Sequence, residues 1–180
     1  VVSDDAKEKM KNRKTPIASF YANLMAFDGY YEKKWFPYTM PISDIYGLRA
    51  AFNLIAGDKT LYERHARIGS ATRAAVKEAG LKLHLQSGYS NTVTVFDIPE
   101  CTDAKSILDE MRTKYNIMLA GSFDELSGKV IRIGHMGENA RLEHMVPALE
   151  ALSATLTDLG VTLQGNLADL FLKHYREFQD

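Results

Sequence analysis

The stretch that decides the fold of this chain is GKVIRIGHMGENA, residues 128–140. Within it, Arg132 stands between Ile131 and Ile133, so a short β-strand suited to burial carries one charged side chain before Gly134 follows. A guanidinium in such a strand needs a partner or a solvated pocket, and its two-pronged geometry matches a carboxylate. An edge-strand arginine that points into water and an arginine in a structural ion pair fit the same pattern. All three interpretations stay open at this point.

The hundred residues around this stretch alternate between strand and helix patterns. Alternating apolar residues or β-branched residues predict strands, and apolar residues at helical spacing predict helices between them. Strands are expected at residues 81–85, 91–98, 117–123 and 129–134, and helices at residues 103–115, from Asn139 to residue 159, and from Asn166 to Phe178. Pro147 should kink the second of these helices or mark a late start. The pattern predicts an α+β fold, a short mixed or antiparallel sheet covered on one face by helices.

The first eighty residues predict helices and an irregular loop. The expected elements are a helix capped by Ser3, a strand or buried helix at residues 18–27, a proline-containing loop at residues 35–41 and a helix capped by Ser43 or Asp44. A second helical stretch, residues 59–79, should stop at Gly80, which suits the left-handed position after a helix. The last two helical stretches are interpreted as one long connecting helix that is weakened at Gly57.

The composition argues against several classes of protein. The 180 residues carry a net charge of −1 with lysine and arginine spread along the chain, so no nucleic-acid partner is predicted. No apolar run is long enough for a membrane span. The single cysteine, Cys101, excludes an internal disulfide framework and fits a reducing, cytoplasmic compartment. The five histidines show no zinc-ligand spacing, so no metal site is predicted and surface or capping roles are expected for them.

Three parts of the sequence occur in an order that is typical of one enzyme family. They are RKT and SFY at residues 13–15 and 19–21, YTMP and IYGLR at residues 38–41 and 45–49, and the stretch 128–140, with NTVT at residues 91–94 before the last. In this order the chain resembles the class V, fold-type I aminotransferases that depend on pyridoxal phosphate. Among them it is most similar to the alanine–glyoxylate and serine–pyruvate enzymes. The resemblance extends to residue 159, and its most specific part is the stretch 128–140.

The resemblance implies a domain organisation in which this chain is the C-terminal portion of the enzyme. Residues 1–43 would be the remnant of the large cofactor-binding domain, residues 44–80 the connecting helix, and residues 81–180 the small C-terminal domain. The start at Val1, without an initiator methionine, also predicts a fragment or a processed product. The lysine that binds the cofactor lies upstream of the matching segment in the family. We therefore expect no catalytic residue in this chain, and no cofactor binding or transamination by this chain alone.

The resemblance also implies roles for individual residues. In such enzymes the arginine at the position of Arg132 binds the α-carboxylate of the substrate. The threonine at the position of Thr39 reaches across the dimer to the cofactor phosphate of the other subunit. An aromatic hydroxyl a few positions earlier usually assists, but Phe36 stands there, so only the nearby Tyr38 can help.

The activity implied for the intact parent is the transfer of an amino group from a small amino acid to a 2-oxo acid. The donor would be alanine or serine, the acceptor glyoxylate or pyruvate, and the enzyme a homodimer. A related class V enzyme that acts on a phosphonate, on ureidoglycine or on pyridoxamine is a second hypothesis. A third, from a different class, is a non-catalytic binding or dimerisation module that has lost its cofactor domain.

Overall fold

The computed structural model describes residues 2–178, which fall into two compact units, one up to Gly57 and one from Asp58 onward. The first unit contains α1 (Asp4–Lys11), a 3-10 turn (Leu24–Phe27), α2 (Tyr30–Lys33) and α3 (Ile42–Gly57). The second contains α4 (Leu61–Glu78), β1 (Val93–Asp97), α5 (Ala104–Tyr115), β2 (Val130–Gly134), α6 (Leu142–Asp158) and α7 (Leu167–Glu177), with 3-10 turns at Asp124–Leu126 and Gly137–Asn139. Among the described residues, no helix is both long and apolar enough to cross a bilayer.

The first unit is held together by an ion pair between α1 and Asp28 and by a group of aromatic rings. Ser3 caps α1 as predicted, because its hydroxyl accepts the N–H of Ala6, and Lys7 of α1 pairs with Asp28 at 2.5 Å. The prediction of a strand or buried helix at residues 18–27 was wrong. That segment is irregular up to the 3-10 turn, and its rings pack on one another, not under a sheet or helix. None of the described residues of this unit is buried.

The two helical stretches at residues 42–79 are separate helices. The loop at residues 35–41 is present as predicted. The predicted cap was wrong, because α3 begins at Ile42 and both Ser43 and Asp44 lie inside the helix. Between the helices, the carboxylate of Asp58 accepts the N–H of Thr60 at 3.0 Å and pairs with Arg64 at 2.7 Å. A side chain that binds nearby backbone in this way competes with the helix, which explains the break.

The C-terminal end of α4 confirms the role predicted for Gly80. Gly80 has φ +86°, its N–H donates to Lys77, and the next N–H, of Leu81, donates to Val76. These two bonds form the left-handed closing motif that satisfies the last carbonyls of a helix.

The sheet is antiparallel and narrower than predicted. β1 and β2 pair with Val95 opposite Arg132, and the predicted strands at residues 81–85 and 117–123 contribute one bridge each, Leu83 to Phe96 and Ala120 to Arg132. Beyond these bridges the chain turns away, at Gly88 with φ +72° and at Asp124 with φ +51°. These outer segments therefore flank the sheet without forming full strands.

The core lies on one side of this sheet, which confirms the α+β arrangement. Phe96, Ile131 and Ile133 point inward and are almost wholly buried, as is Thr94. Four helices cover them, and each contributes fully buried apolar side chains: Ile68 from α4, Ile107 from α5, Leu149 from α6 and Phe171 from α7. Each such side chain contributes about 1.5–3 kcal/mol by leaving water.

The start of α6 differs from the prediction. Asn139 does not cap it, because residues 137–139 form a separate 3-10 turn and α6 begins at Leu142. The N–H of Gly137, which has φ +59°, donates to Nε2 of His65 at 3.0 Å and holds this turn apart from the helix. α6 then continues without interruption through Pro147.

Two side chains satisfy the first N–H groups of α7. Asn166 caps the helix as predicted, since its amide oxygen accepts the N–H groups of Ala168 and Asp169. The remaining N–H of this turn, of Leu167, donates to the hydroxyl of Ser153 on α6 at 2.8 Å, and both residues are buried. α6 and α7 are therefore joined by a buried polar contact as well as by apolar packing.

His135 is a buried histidine with both ring nitrogens bonded. Its Nδ1–H donates to the carbonyl of Asn91 at 3.1 Å and its Nε2 accepts the hydroxyl proton of Thr94 at 2.9 Å. Burial, reinforced by the nearby positive charge of Arg73 and by His65, lowers the pKa of His135 to about 4. The surface or capping role expected for the histidines was therefore wrong for His135. His65 is buried as well, but it accepts the N–H of Gly137 at the start of a 3-10 turn.

We predict that Ser153→Ala lowers the free energy of unfolding by about 1–3 kcal/mol, because the N–H of Leu167 is then buried without an acceptor. Urea denaturation measures the loss. The matched control is Ser127→Ala at an exposed position, which should change the stability by less than about 0.5 kcal/mol. Equal effects of the two changes would contradict the assignment.

We also predict a pH dependence of stability that comes from His135. Its folded pKa of about 4 lies below the usual value of 6.5, so its full contribution is present above pH 6.5 and is lost as the pH falls towards 4. The loss reaches about 3 kcal/mol at the low end of that window. His135→Gln keeps a donor and an acceptor but does not titrate, so its stability should change less over the same range. Denaturation midpoints between pH 4 and 8 that change equally in both proteins would refute this.

Candidate functional site

Arg132 lies on the face of the sheet opposite the core. Because Ile131 and Ile133 point inward, Arg132 points outward, where it is half-buried. Its N–H donates to the carbonyl of Ala120 at 2.7 Å and its carbonyl accepts the N–H of Ala120 at 3.3 Å, while Val95 lies opposite on β1. Arg132 therefore has a paired segment on either side, and the interpretation as an edge-strand arginine was wrong.

The guanidinium of Arg132 is held at one end and free at the other. Its Nε–H donates to the carbonyl of Gly121 at 2.5 Å, and its central carbon lies 5.8 Å from the centre of the Phe123 ring. Within residues 2–178, Arg132 forms no salt bridge with an acidic side chain. The arrangement leaves the two terminal amino groups, a two-pronged donor, for a carboxylate that this part of the chain does not supply.

A carboxylate on the same face of the sheet is already paired. Asp97 lies two positions after Val95 on β1, and it binds Lys82 and His84 at 2.7 Å each. The hydrogen bond from Lys82, together with that from His84, lowers the pKa of Asp97. The charge of Asp97 is therefore compensated locally and does not neutralise Arg132.

The sheet is also open beside Arg132. Gly134, two positions along β2, faces the same way, is exposed, and has no other atom within 4 Å of the place where a Cβ would lie. A cavity of about 310 Å³ touches Gly134 from the side of α6 and is lined by Met118, Ile133 and His144 among others, but not by Arg132. A ligand can approach this end of β2 without displacing a side chain. A second cavity, of about 770 Å³, lies beside Ser153 and Asn166, and Arg132 lines neither of the two cavities.

The two other predicted site residues lie in the first unit. Thr39 is exposed in the loop before α3. Tyr38 is half-buried, its hydroxyl donates to the carbonyl of Phe20, and its ring packs against Phe20 and Phe27 at centroid distances of 5.2 and 5.4 Å. Phe36 stacks on a neighbouring tyrosine in the same group of rings. The proton of the Tyr38 hydroxyl is thus already engaged.

Sequence reasoning missed the groups that hold Arg132 and the turn after it. Gly121 and Phe123 contact Arg132 only because the chain folds back after Asp124, and nothing in their local sequence indicates this contact. His65 accepts the N–H of Gly137 from a helix 72 residues away in sequence. Within the described residues, no group of three or more His, Cys, Asp or Glu side chains is placed to hold a metal ion.

Comparison with known proteins relates the chain to transaminases. No family model matches the chain. It is 36% identical over 165 residues to a serine–glyoxylate aminotransferase of Methylorubrum extorquens. The alignment covers 87% of this chain and 40% of that protein. Its structure is similar to that of a pyridoxamine–pyruvate aminotransferase from Mesorhizobium loti, with a TM-score of 0.84, 31% identity, and coverage of 98% of this chain and 46% of the other.

A second solved structure agrees with the first. The ureidoglycine–glyoxylate aminotransferase of Bacillus subtilis superposes with a TM-score of 0.85 at 30% identity, over 96% of this chain and 46% of the other. The chain spans less than half the length of each of these three proteins. The chain belongs to the class V aminotransferases, and its sequence corresponds to their C-terminal portion.

Proposed function

We propose that this chain is the C-terminal part of an aminotransferase that depends on pyridoxal phosphate. The enzyme would transfer the amino group of a small amino acid, alanine or serine, to a 2-oxo acid, glyoxylate or pyruvate. The observation that supports this most is the guanidinium of Arg132, which has no acidic partner within residues 2–178 and presents its terminal amino groups on an open sheet face. The non-catalytic hypothesis gives no reason for such a free guanidinium.

Arg132 would bind and orient the substrate. The amino acid and the 2-oxo acid both carry a carboxylate beside the reacting carbon, so one guanidinium serves both half-reactions. Two parallel hydrogen bonds fix the plane of the carboxylate as well as its position. Such positioning lowers the barrier because it holds the reacting carbon in place before the proton moves.

The chain offers one group that fits the cofactor phosphate. Pyridoxal phosphate, when bound, supplies the electron sink for removal of the proton from the amino acid. The exposed hydroxyl of Thr39 can donate to a phosphate oxygen, which suits the contact across a homodimer. Tyr38 is less suited, because its proton is donated to Phe20 and that bond must first break.

We assign residues 1–43, 44–80 and 81–180 to the end of the large domain, the connecting helical region, which is broken between α3 and α4, and the small domain. We assign no cofactor-binding lysine to this chain, and we expect it to be inactive alone and its parent to be cytoplasmic.

A second candidate differs in the amino donor. The chain is similar to proteins named for pyridoxamine and for ureidoglycine as well as for serine. Pyridoxamine has no carboxylate, so in an enzyme of that kind Arg132 would contribute only to the half-reaction of the oxo acid. A donor series that measures the dependence on Arg132 therefore separates the candidates.

We predict that the complete gene product transfers the amino group of alanine or serine to glyoxylate or pyruvate. We also predict that Arg132 binds the carboxylate of both the amino donor and the oxo acid. Arg132→Lys loses the two-pronged geometry and should lower kcat/KM by about 10- to 100-fold. Arg132→Gln also loses the charge and should lower it further. Steady-state kinetics with each donor and acceptor measure these losses.

The control for this prediction is pyridoxamine as the amino donor. If pyridoxamine is accepted, its half-reaction should be unaffected by either change, because no carboxylate is bound. Unchanged kcat/KM for alanine, serine and both oxo acids in Arg132→Gln would rule out the proposed carboxylate site.

We further predict that Thr39→Val weakens the binding of pyridoxal phosphate to the complete gene product by about 10- to 100-fold, because a hydrogen bond to a charged group is lost. Thr39→Ser keeps the hydroxyl and should bind nearly as the wild type does. Absorbance titration of the apoprotein gives the dissociation constants. If valine and serine behave alike, Thr39 does not contact the phosphate.

A further inference from the structure

One short segment contacts Arg132 in three ways. Ala120 pairs with its backbone, the carbonyl of Gly121 accepts its Nε–H at 2.5 Å, and the ring of Phe123 lies 5.8 Å from the centre of its guanidinium. The three contacts therefore involve the backbone of Arg132, its Nε–H and its guanidinium group.

The hydrogen bond to Gly121 determines which edge of the guanidinium is available. A carboxylate can bind either the edge formed by Nε and one amino group or the edge formed by both amino groups. Because Nε–H is donated to Gly121, only the outer edge remains for a two-pronged ligand. This single bond still allows the guanidinium to swing about its last torsions.

Phe123 supplies the second restraint. Its ring is 70% exposed and does not belong to the buried core, so packing into the core does not explain its position. Its distance from the guanidinium falls within the range of about 6 Å for attraction between a cation and an aromatic ring. Phe123 therefore limits the swing that the bond to Gly121 leaves.

We propose that Phe123 is a positioning residue for substrate binding, which holds the Arg132 guanidinium in the orientation that receives the substrate carboxylate. This inference rests on the proposed function of Arg132. Phe123 acts through Arg132 and takes no part in the movement of the proton, so its loss weakens substrate binding more than it slows the chemical step.

The test uses the complete gene product with its cofactor. Phe123→Leu keeps an apolar side chain but removes the aromatic face, and Phe123→Trp keeps that face. We expect Phe123→Leu to raise KM for alanine, and the inhibition constant of propionate, by about threefold with a smaller change in kcat, since an exposed cation–aromatic contact is weak. Phe123→Trp should behave as the wild type.

A double-variant cycle separates this inference from the proposed function. In the Arg132→Gln background there is no guanidinium to orient, so Phe123→Leu should cause no further loss of kcat/KM. A loss that persists in that background, a fall in kcat without a change in KM, or equal behaviour of leucine and tryptophan would overturn the positioning role. If Arg132→Gln alone leaves kcat/KM unchanged, the proposed carboxylate site fails, and the role of Phe123 fails with it.

Discussion

The inward burial of Ile131 and Ile133 is the constraint on which the rest of the site depends. Side chains alternate along a strand, so a slip of one residue in the pairing of β2 would bury Arg132 and expose both isoleucines. Each isoleucine loses about 1.5–3 kcal/mol in that exchange, and the buried guanidinium would lack a partner. The hydrophobic core therefore determines both the register of β2 and the side of the sheet on which Arg132 lies.

Two buried histidines hold the chain just after Arg132 by hydrogen bonds. His135 connects the end of β2 to residues 91–94, and His65 on α4 holds the turn that begins at Gly137. Each imidazole bonds through both nitrogens, with Nδ1 opposite a carbonyl, so each is satisfied as one neutral tautomer. Stability and site geometry are thus coupled here: a proton that loosens His135 also loosens the strand that carries Arg132.

Sequence patterns predicted those features whose cause is local. The caps at Ser3 and Asn166, the stop at Gly80 and the strands β1 and β2 follow from neighbouring residues, and the structure confirms them. Residues 81–85 and 117–123 have strand patterns, but the turns that follow leave each only one bridge. The sequence singled out Arg132, because it is a charged residue between two isoleucines of a predicted strand. Its role could not be chosen from the sequence, because the contacts of Arg132 with Gly121 and Ala120 form only in the folded chain.

The two proposed contacts of this chain rest on different kinds of support. Arg132 lies on a strand whose other face is fully buried, so its backbone is as rigid as the core. Thr39 lies in a unit none of whose described residues is buried, and the adjacent Tyr38 is held there by ring packing and by its bond to Phe20. The position of the Thr39 hydroxyl therefore depends on the exposed aromatic contacts of its neighbour Tyr38, each of which contributes about 0.5–1.5 kcal/mol. Carboxylate binding should therefore tolerate partial loosening of the protein better than the phosphate contact does, because only Arg132 is supported by a core.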